Sequence, residues 1–236
     1  MFLGIVITKW KINELDISFK GFKIDFSVIK DIYLVAIPAI LIYSITSFMT
    51  IFMNFILVGF GTVVVTVFGI YFKLSQFLLM AVNGINNAII PIISFNYGAK
   101  QYQRIMEVVY FSLKLTFWIM LMGMLIVWFF PEQLLLLFNA DKLMLDIGVS
   151  AFRLISLCLI PAGLNIIFCA IMQAVDKSFL SLLITLSRQL LILIPLLYIF
   201  MSFWGLNIGW LGFLVTELGC FLFCVLGYRK IIKSFR

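Results

Sequence analysis

The sequence contains no histidine, and charged residues make up only 11% of its 236 positions. The absence of histidine excludes Ser-His-Asp hydrolase sites and HExxH zinc sites. The chain also lacks a GxSxG nucleophile motif and the glycine-rich loop that binds phosphate in nucleotide hydrolases. We therefore expect no enzyme, no catalytic residue and no bound cofactor.

Cysteines are few, and none is placed to bind a metal ion. All lie within apolar segments, without a CxxC pair or nearby acidic residues: Cys158, Cys169, Cys220 and Cys224. Free cysteine commonly packs as a small hydrophobic residue, which is the interpretation we favour here. We expect no metal site.

The low charge content is matched by a high apolar content. Hydrophobic residues make up 64% of the chain and the mean hydropathy is +1.21, whereas soluble domains average about 25% charged residues. Continuous apolar segments of about 20 residues are typical of membrane-spanning helices, and a barrel would show alternating segments of about ten. The net charge of +7 lies in loops and at the termini, so the expected partner is membrane lipid, not nucleic acid.

We predict an all-α, polytopic membrane protein with a bundle of six transmembrane helices. Residues 1–30 would hold the end of a preceding helix and a cytoplasmic linker. Residues 31–230 would form the six-helix bundle, and residues 231–236 a cytoplasmic tail. The predicted helices cover residues 32–59, 63–94, 108–130, 147–174, 179–203 and 206–228. Lysine and arginine concentrate in the loops on one side, which the positive-inside rule assigns to the cytoplasm. We thus predict a protein of the cell membrane whose two termini both lie in the cytoplasm.

The second predicted helix carries a polar stripe in an apolar background. Its members recur at steps of three and four residues and so share one helical face: Lys73, Gln76, Met80, Asn83 and Asn87. A lysine at mid-membrane costs roughly 2.5–3.5 kcal/mol on insertion scales. The stripe therefore predicts a face that lines a pathway or contacts other helices.

Two further helices have polar faces. The first carries Tyr43, Ser47, Thr50 and Asn54, and the fourth carries Asn165, Cys169 and Gln173. Hydroxyl and amide groups in membrane helices commonly form interhelical hydrogen bonds. Polar faces on three helices also fit a shared hydrated cavity, and the sequence leaves both interpretations open.

Three charged residues are predicted to lie near the bilayer midplane: Lys73, Arg188 and Glu217. Ionisable groups at this depth are candidates for a substrate or ion pathway. The alternative is a structural salt bridge of Glu217 with either Lys73 or Arg188. A cation that moved between two conformations would also switch Glu217 between proton binding and release.

Several short motifs resemble one family in their order and spacing. They are Ile37–Pro38, Asn86–Asn87 with Pro91, NYGAK at 96–100, FFPEQLLLLFNAD at 129–141, Pro161–Ala162–Gly163, Gln173–Ala174, Arg188 with Ile194–Pro195–Leu196 and Tyr198, and Trp204–Gly205–Leu206 with Gly209–Trp210 and Glu217. FGIYFKLSQF at 68–77 is similar to a bacterial branch. The chain thus resembles helices seven to twelve, the C-terminal lobe, of the multidrug and toxic compound extrusion (MATE) family.

This resemblance implies two six-helix lobes, twelve helices in all, around a central cavity. It implies secondary active efflux of small organic compounds by alternating access, in exchange for H⁺ or Na⁺. The partner would be a missing N-terminal lobe or a second half-transporter. Some members carry acidic residues midway in helices seven and ten, where this sequence has Ser47, Thr50 and Asn54 and then Asn165 and Gln173.

Two alternatives stay open. A flippase of the same superfamily would move a lipid-linked polyanion or oligosaccharide, and Lys73 and Arg188 suit phosphate groups. A truncated half-protein would fold in the membrane without transporting anything.

Overall fold

The computed structural model describes residues 26–233, without the side chains at 28, 31, 34–36, 38, 39, 42, 43 and 233. The predicted end of a preceding helix and most of the linker fall on residues 1–25, outside the described part, as do residues 234–236. The chain divides into two compact units, Met1–Ile40 and Leu41–Arg236. The domain boundaries drawn from the sequence stay predictions.

All regular structure between residues 26 and 233 is helical, as predicted. The α-helices are α1 (Phe26–Val58), α2 (Thr62–Gly98), α3 (Tyr102–Phe129), α4 (Pro131–Leu136), α5 (Lys142–Ser156), α6 (Leu159–Ala174), α7 (Ser178–Leu186), α8 (Leu193–Gly209) and α9 (Leu211–Lys233). A π-helical segment, Ser187–Ile192, joins α7 to α8 without a break.

Long apolar helices dominate the described residues. Four are long and apolar enough to cross a membrane, and α5 with α6 makes five if this bent pair is one span. The stretch of α1 in which every side chain is described, Ser44–Val58, is a shorter apolar helix. Each of the six predicted segments thus falls on a helix or a pair of helices.

The predicted fourth helix, 147–174, is not continuous. α5 and α6 meet at an angle of 43°, and Cys158 N–H donates to the Ile155 carbonyl in a tight turn, at 3.0 Å. Pro161 lies just beyond this turn. Its ring removes one backbone donor and disfavours helical geometry in the preceding residue, so the helix bends on its N-terminal side.

The break predicted between residues 203 and 206 is confirmed at Gly205. This residue has φ +73° and ψ −177°, inside the segment that otherwise forms α8. Such backbone geometry is essentially restricted to glycine. The chain therefore turns here between the fifth and sixth predicted spans, although helical residues continue to Gly209.

Helix α6 lies at the centre of the bundle. It packs against α2, α3, α7 and α9, and most of its side chains are buried. Apolar side chains also cover the outside of the bundle, among them Phe111, Trp118, Met122, Phe203 and Phe223. Lipid solvates such a surface, which is why apolar residues occur both inside and outside.

Candidate functional site

Arg188 and Glu217 form an ion pair between the π-helical segment and α9. Arg188 Nη1 donates to both carboxylate oxygens of Glu217, at 3.0 Å to Oε1 and 3.1 Å to Oε2. The two side chains are only 12% and 15% exposed. Hydrogen bonds between charged groups are stronger than neutral ones, particularly where little water competes. The pair therefore joins two separate spans.

Asn165 on α6 completes this ion-pair cluster. Its Nδ2 donates to Glu217 Oε2 at 2.8 Å and to the Glu217 backbone carbonyl at 3.1 Å. Asn165 is 1% exposed, and its Oδ1 has no hydrogen-bond partner within the described part of the chain. The Glu217 carboxylate thus faces a cation on one side and an amide on the other, while one buried acceptor stays unused.

The π-helical segment directs two neighbouring polar residues to different helices. Arg188 reaches Glu217 on α9, whereas Gln189 Oε1 accepts a hydrogen bond from Thr46 Oγ1 on α1, at 3.2 Å. A π-helix holds one residue more per turn than the α-helix around it and is frequent at functional sites. This segment therefore connects α1 to the ion-pair cluster.

The structure distinguishes between the two salt bridges that the sequence allowed. Glu217 pairs with Arg188, not with Lys73. Lys73 is exposed on α2, and no ion pair of Lys73 occurs among residues 26–233. The three predicted midplane charges therefore divide into a buried pair and a separate surface cation.

The polar stripe of α2 forms one exposed face. Lys73, Gln76, Met80, Asn83 and Asn87 are all exposed, while the opposite side of α2 is buried in the core through residues such as Val67, Phe68, Val82, Ile89 and Ile93. The described residues leave the stripe uncovered. Its role as a pathway stays a prediction.

The polar residues of α1 are only partly exposed. Ser47 is exposed, and Thr50 and Asn54 are half-buried. Thr50 Oγ1 donates to the Thr46 carbonyl on its own helix, at 2.9 Å. The side chain of Tyr43 lies outside the described residues. Of the predicted α1 face, Ser47 is the most accessible member.

The polar side chains of α6 form interhelical contacts, which was one of the two interpretations left open. Gln173 Nε2 donates to Ser181 Oγ on α7 at 2.9 Å, and Thr185 Oγ1 lies 4.0 Å from Cys169 Sγ. Asn165 bonds to α9, as described above. These residues hold α6 against its neighbours.

Tyr71 was missed by the sequence reasoning. Its hydroxyl donates to the Ile155 carbonyl at 3.2 Å and lies 3.8 Å from Cys158 Sγ, at the bend between α5 and α6. The ring is 4% exposed. A tyrosine within an apolar helix usually needs a partner for its hydroxyl, and this need was the available signal.

Comparison with known proteins gives one family. The MatE family model matches residues 38–199. The multidrug export protein MepA of Staphylococcus aureus strain bovine RF122 is 22% identical over 216 residues, 91% of this chain and 47% of that protein. The chain thus spans about half the length of the curated relatives it matches.

Solved structures agree with this fold. The outward-facing conformation of a multidrug resistance MATE family transporter of the MOP superfamily matches with a TM-score of 0.85 and 21% identity, over 99% of this chain and 53% of the other. The inward-facing conformation of a MATE family transporter matches with the same TM-score and identity, over 99% and 55%. The helical arrangement described above is therefore shared with both conformations.

Proposed function

The chain belongs to the MatE family, and we propose that it forms one membrane lobe of a secondary multidrug exporter. The lobe would act with an N-terminal lobe or a second half-transporter and export small organic compounds in exchange for H⁺ or Na⁺. Both termini would be cytoplasmic, as the distribution of lysine and arginine indicates. MepA and the MATE structures support this proposal through their likeness in sequence and fold.

The exposed polar face of α2 is the observation on which the proposal depends most. Lys73, Asn83 and Asn87 lie on a helix whose other side is packed in the core. Exposure of these groups to lipid would be costly, particularly for the lysine. A water-filled pathway, closed on the other side by a second lobe, removes this cost and provides polar contacts for a substrate.

Replacement of the two asparagines tests the proposed pathway. We expect the Asn83→Leu/Asn87→Leu variant to lower dye efflux by about tenfold or more, because leucine cannot provide polar contacts for a substrate. A tenfold loss corresponds to about 1.4 kcal/mol of transition-state stabilisation. Dye efflux is measured in cells that express the chain with the N-terminal half of MepA. The control is Asn207→Leu, an exposed asparagine on α8. Unchanged efflux in the double variant would show that this face of α2 does not line the pathway.

Accessibility of single cysteines tests the same face without transport. The native cysteines are all buried, so they give little background labelling. We expect cysteines at Lys73 and Asn87 to react with a membrane-impermeant thiol reagent much faster than a cysteine at Met122, which is 62% exposed on the apolar surface. Equal rates at the three positions would contradict a hydrated face.

One observation favours a second candidate. The exposed Lys73, which has no ion pair among the described residues, fits an anionic substrate such as a lipid-linked pyrophosphate. If the protein is a flippase, added lipid pyrophosphates would compete with its transport and cationic dyes would not. Lys73→Gln would then weaken the competition by lipid pyrophosphates. A multidrug exporter would show the opposite competition. A chain that transports neither class, alone or with a partner lobe, would be a non-transporting half-protein.

A further inference from the structure

The ion-pair cluster is more than a structural link between helices. We propose that Glu217 and Asn165 form a site for a monovalent cation, and that the Arg188 guanidinium occupies this site in the present conformation. The inference rests on the proposed transport function and names the residues of this lobe that would bind the coupling ion. Arg188 would act as a tethered cation that a free H⁺ or Na⁺ replaces.

The oxygen atoms around Glu217 have the chemistry of a cation site. Two carboxylate oxygens and the Glu217 backbone carbonyl lie within 3.1 Å of Asn165 Nδ2 or Arg188 Nη1. The buried Asn165 Oδ1 is an additional oxygen and has no partner among the described residues. Hard cations such as Na⁺ prefer carboxylate and carbonyl oxygen ligands, as Ca²⁺ and Mg²⁺ do.

The Asn165 side chain can serve both states of the site. While Arg188 is bound, its NH₂ group donates to the Glu217 carboxylate. Rotation of the amide by half a turn would place Oδ1 where Nδ2 now lies, beside the two Glu217 oxygens. Three oxygen atoms at hydrogen-bond distances repel one another unless a cation lies among them. An amide can therefore serve both occupants, because it carries a donor group and an acceptor oxygen, whereas a side chain that only donates could serve only the ion-paired state.

The π-helical segment provides a route by which Arg188 can leave. Conversion of Ser187–Ile192 to regular α-helix would shift the register by one residue and turn Arg188 by about 100° around the helix axis. The same change would move Gln189 away from Thr46. Release of Arg188 would therefore also break the hydrogen bond between Gln189 and Thr46 on α1. Thr46 directly precedes Ser47, which belongs to the partly exposed polar face of α1.

Several other titratable groups lie around Glu217 and Arg188. Tyr71 comes from α2, Cys158 from the bend between α5 and α6, and Cys169 from α6, while Cys220 and Cys224 lie on α9. Arg188 is the cation in contact with Glu217 among the described residues. A change in bound charge at this site is therefore assigned to Glu217 and Arg188.

Removal of the tethered cation is the direct test. We expect purified Arg188→Gln to bind ²²Na⁺ at alkaline pH at least tenfold more tightly than the wild-type chain, or to gain the infrared band of a protonated carboxyl group at neutral pH. The first result identifies Na⁺ and the second H⁺. Either signal must disappear in Arg188→Gln/Glu217→Gln. Arg153→Gln and Glu132→Gln, which change exposed charges on α5 and α4, are the matched controls.

A second variant covers the case in which Arg188→Gln does not fold. Asn165→Ala keeps the ion pair but removes an oxygen ligand, so it should lower Na⁺ binding at least threefold relative to the wild-type chain. If H⁺ is the ion, loss of the Nδ2 donor to the Glu217 carboxylate should instead make displacement of Arg188 by acid at least threefold easier. The proposal is wrong if a folded Arg188→Gln gains neither signal, or if Asn165→Ala equals the wild type. These measurements use no drug, so a failed efflux assay with a positive binding result would count against the proposed function alone.

Discussion

Replacement of Arg188 by methionine is expected to lower the free energy of unfolding by about 3–5 kcal/mol, because Glu217 loses its cation and must either keep an unpaired buried charge or take up H⁺ or Na⁺ from solution. Glu217 is 15% exposed, so water can compensate only partly. Asn165 would still donate to Glu217 Oε2, but a neutral amide stabilises a carboxylate less than a guanidinium does. Unfolding by sodium dodecyl sulfate in mixed micelles provides the measurement.

The double replacement Arg188→Met/Glu217→Met separates the attraction between the two charges from the cost of removing them from water. Replacement of a buried ion pair by apolar residues of similar volume is often close to neutral, so we expect the double variant to recover most of the stability that each single variant loses. Arg153→Met, at an exposed arginine on α5, should change stability by about 0.5 kcal/mol or less. Additive losses in the double variant would mean that the two side chains contribute independently.

Replacement of Gly163 by leucine is expected to destabilise the lobe by about 1–3 kcal/mol or more through overpacking. A Cβ atom at this position would lie 2.6 Å from Met120 Cγ and 3.1 Å from Thr116 Cγ2, both on α3. Met120 and Thr116 are fully buried, so a leucine at Gly163 would have to displace packed side chains. Small residues allow such close approach of membrane helices, and leucine would force α3 and α6 apart.

Gly219→Leu is the matched control for this change. Gly219 also lies within a helix, α9, but a Cβ atom there would meet nothing within 4 Å. Leucine is a better helix former than glycine by about 0.8–1.0 kcal/mol or slightly less, so Gly219→Leu should be neutral or stabilising. The same unfolding assay measures both variants. Equal changes in stability at the two glycines would show that the close contact between α3 and α6 at Gly163 is not the cause of the destabilisation.

Local patterns were enough to predict the helices and some of their ends. Long apolar segments predicted the spans because bilayer thickness fixes the length of a membrane helix. Trp204–Gly205–Leu206 marked the turn between the last two spans, and Gly205 indeed has a backbone geometry that other residues rarely adopt. The bend between α5 and α6 lies just before Pro161, and proline is a local signal for such a kink.

The candidate site was predictable only in part. Periodicity placed Lys73, Asn83 and Asn87 on one helical face, and the structure leaves that face exposed. Depth along each helix placed Arg188 and Glu217 at a similar level, but sequence allowed either Lys73 or Arg188 as the partner of Glu217. Tertiary structure decided for Arg188.

The sequence by itself determined that this protein is an all-helical membrane protein, since apolar length and the scarcity of charge depend on composition and order alone. It also determined which residues share a helical face. Only the tertiary structure decided which faces meet: the ion pair depends on the rotation of α9 and on the π-helical segment that directs Arg188 toward it. Helix rotation follows from the packing of side chains across several helices at once, and no periodicity within a single helix contains that information.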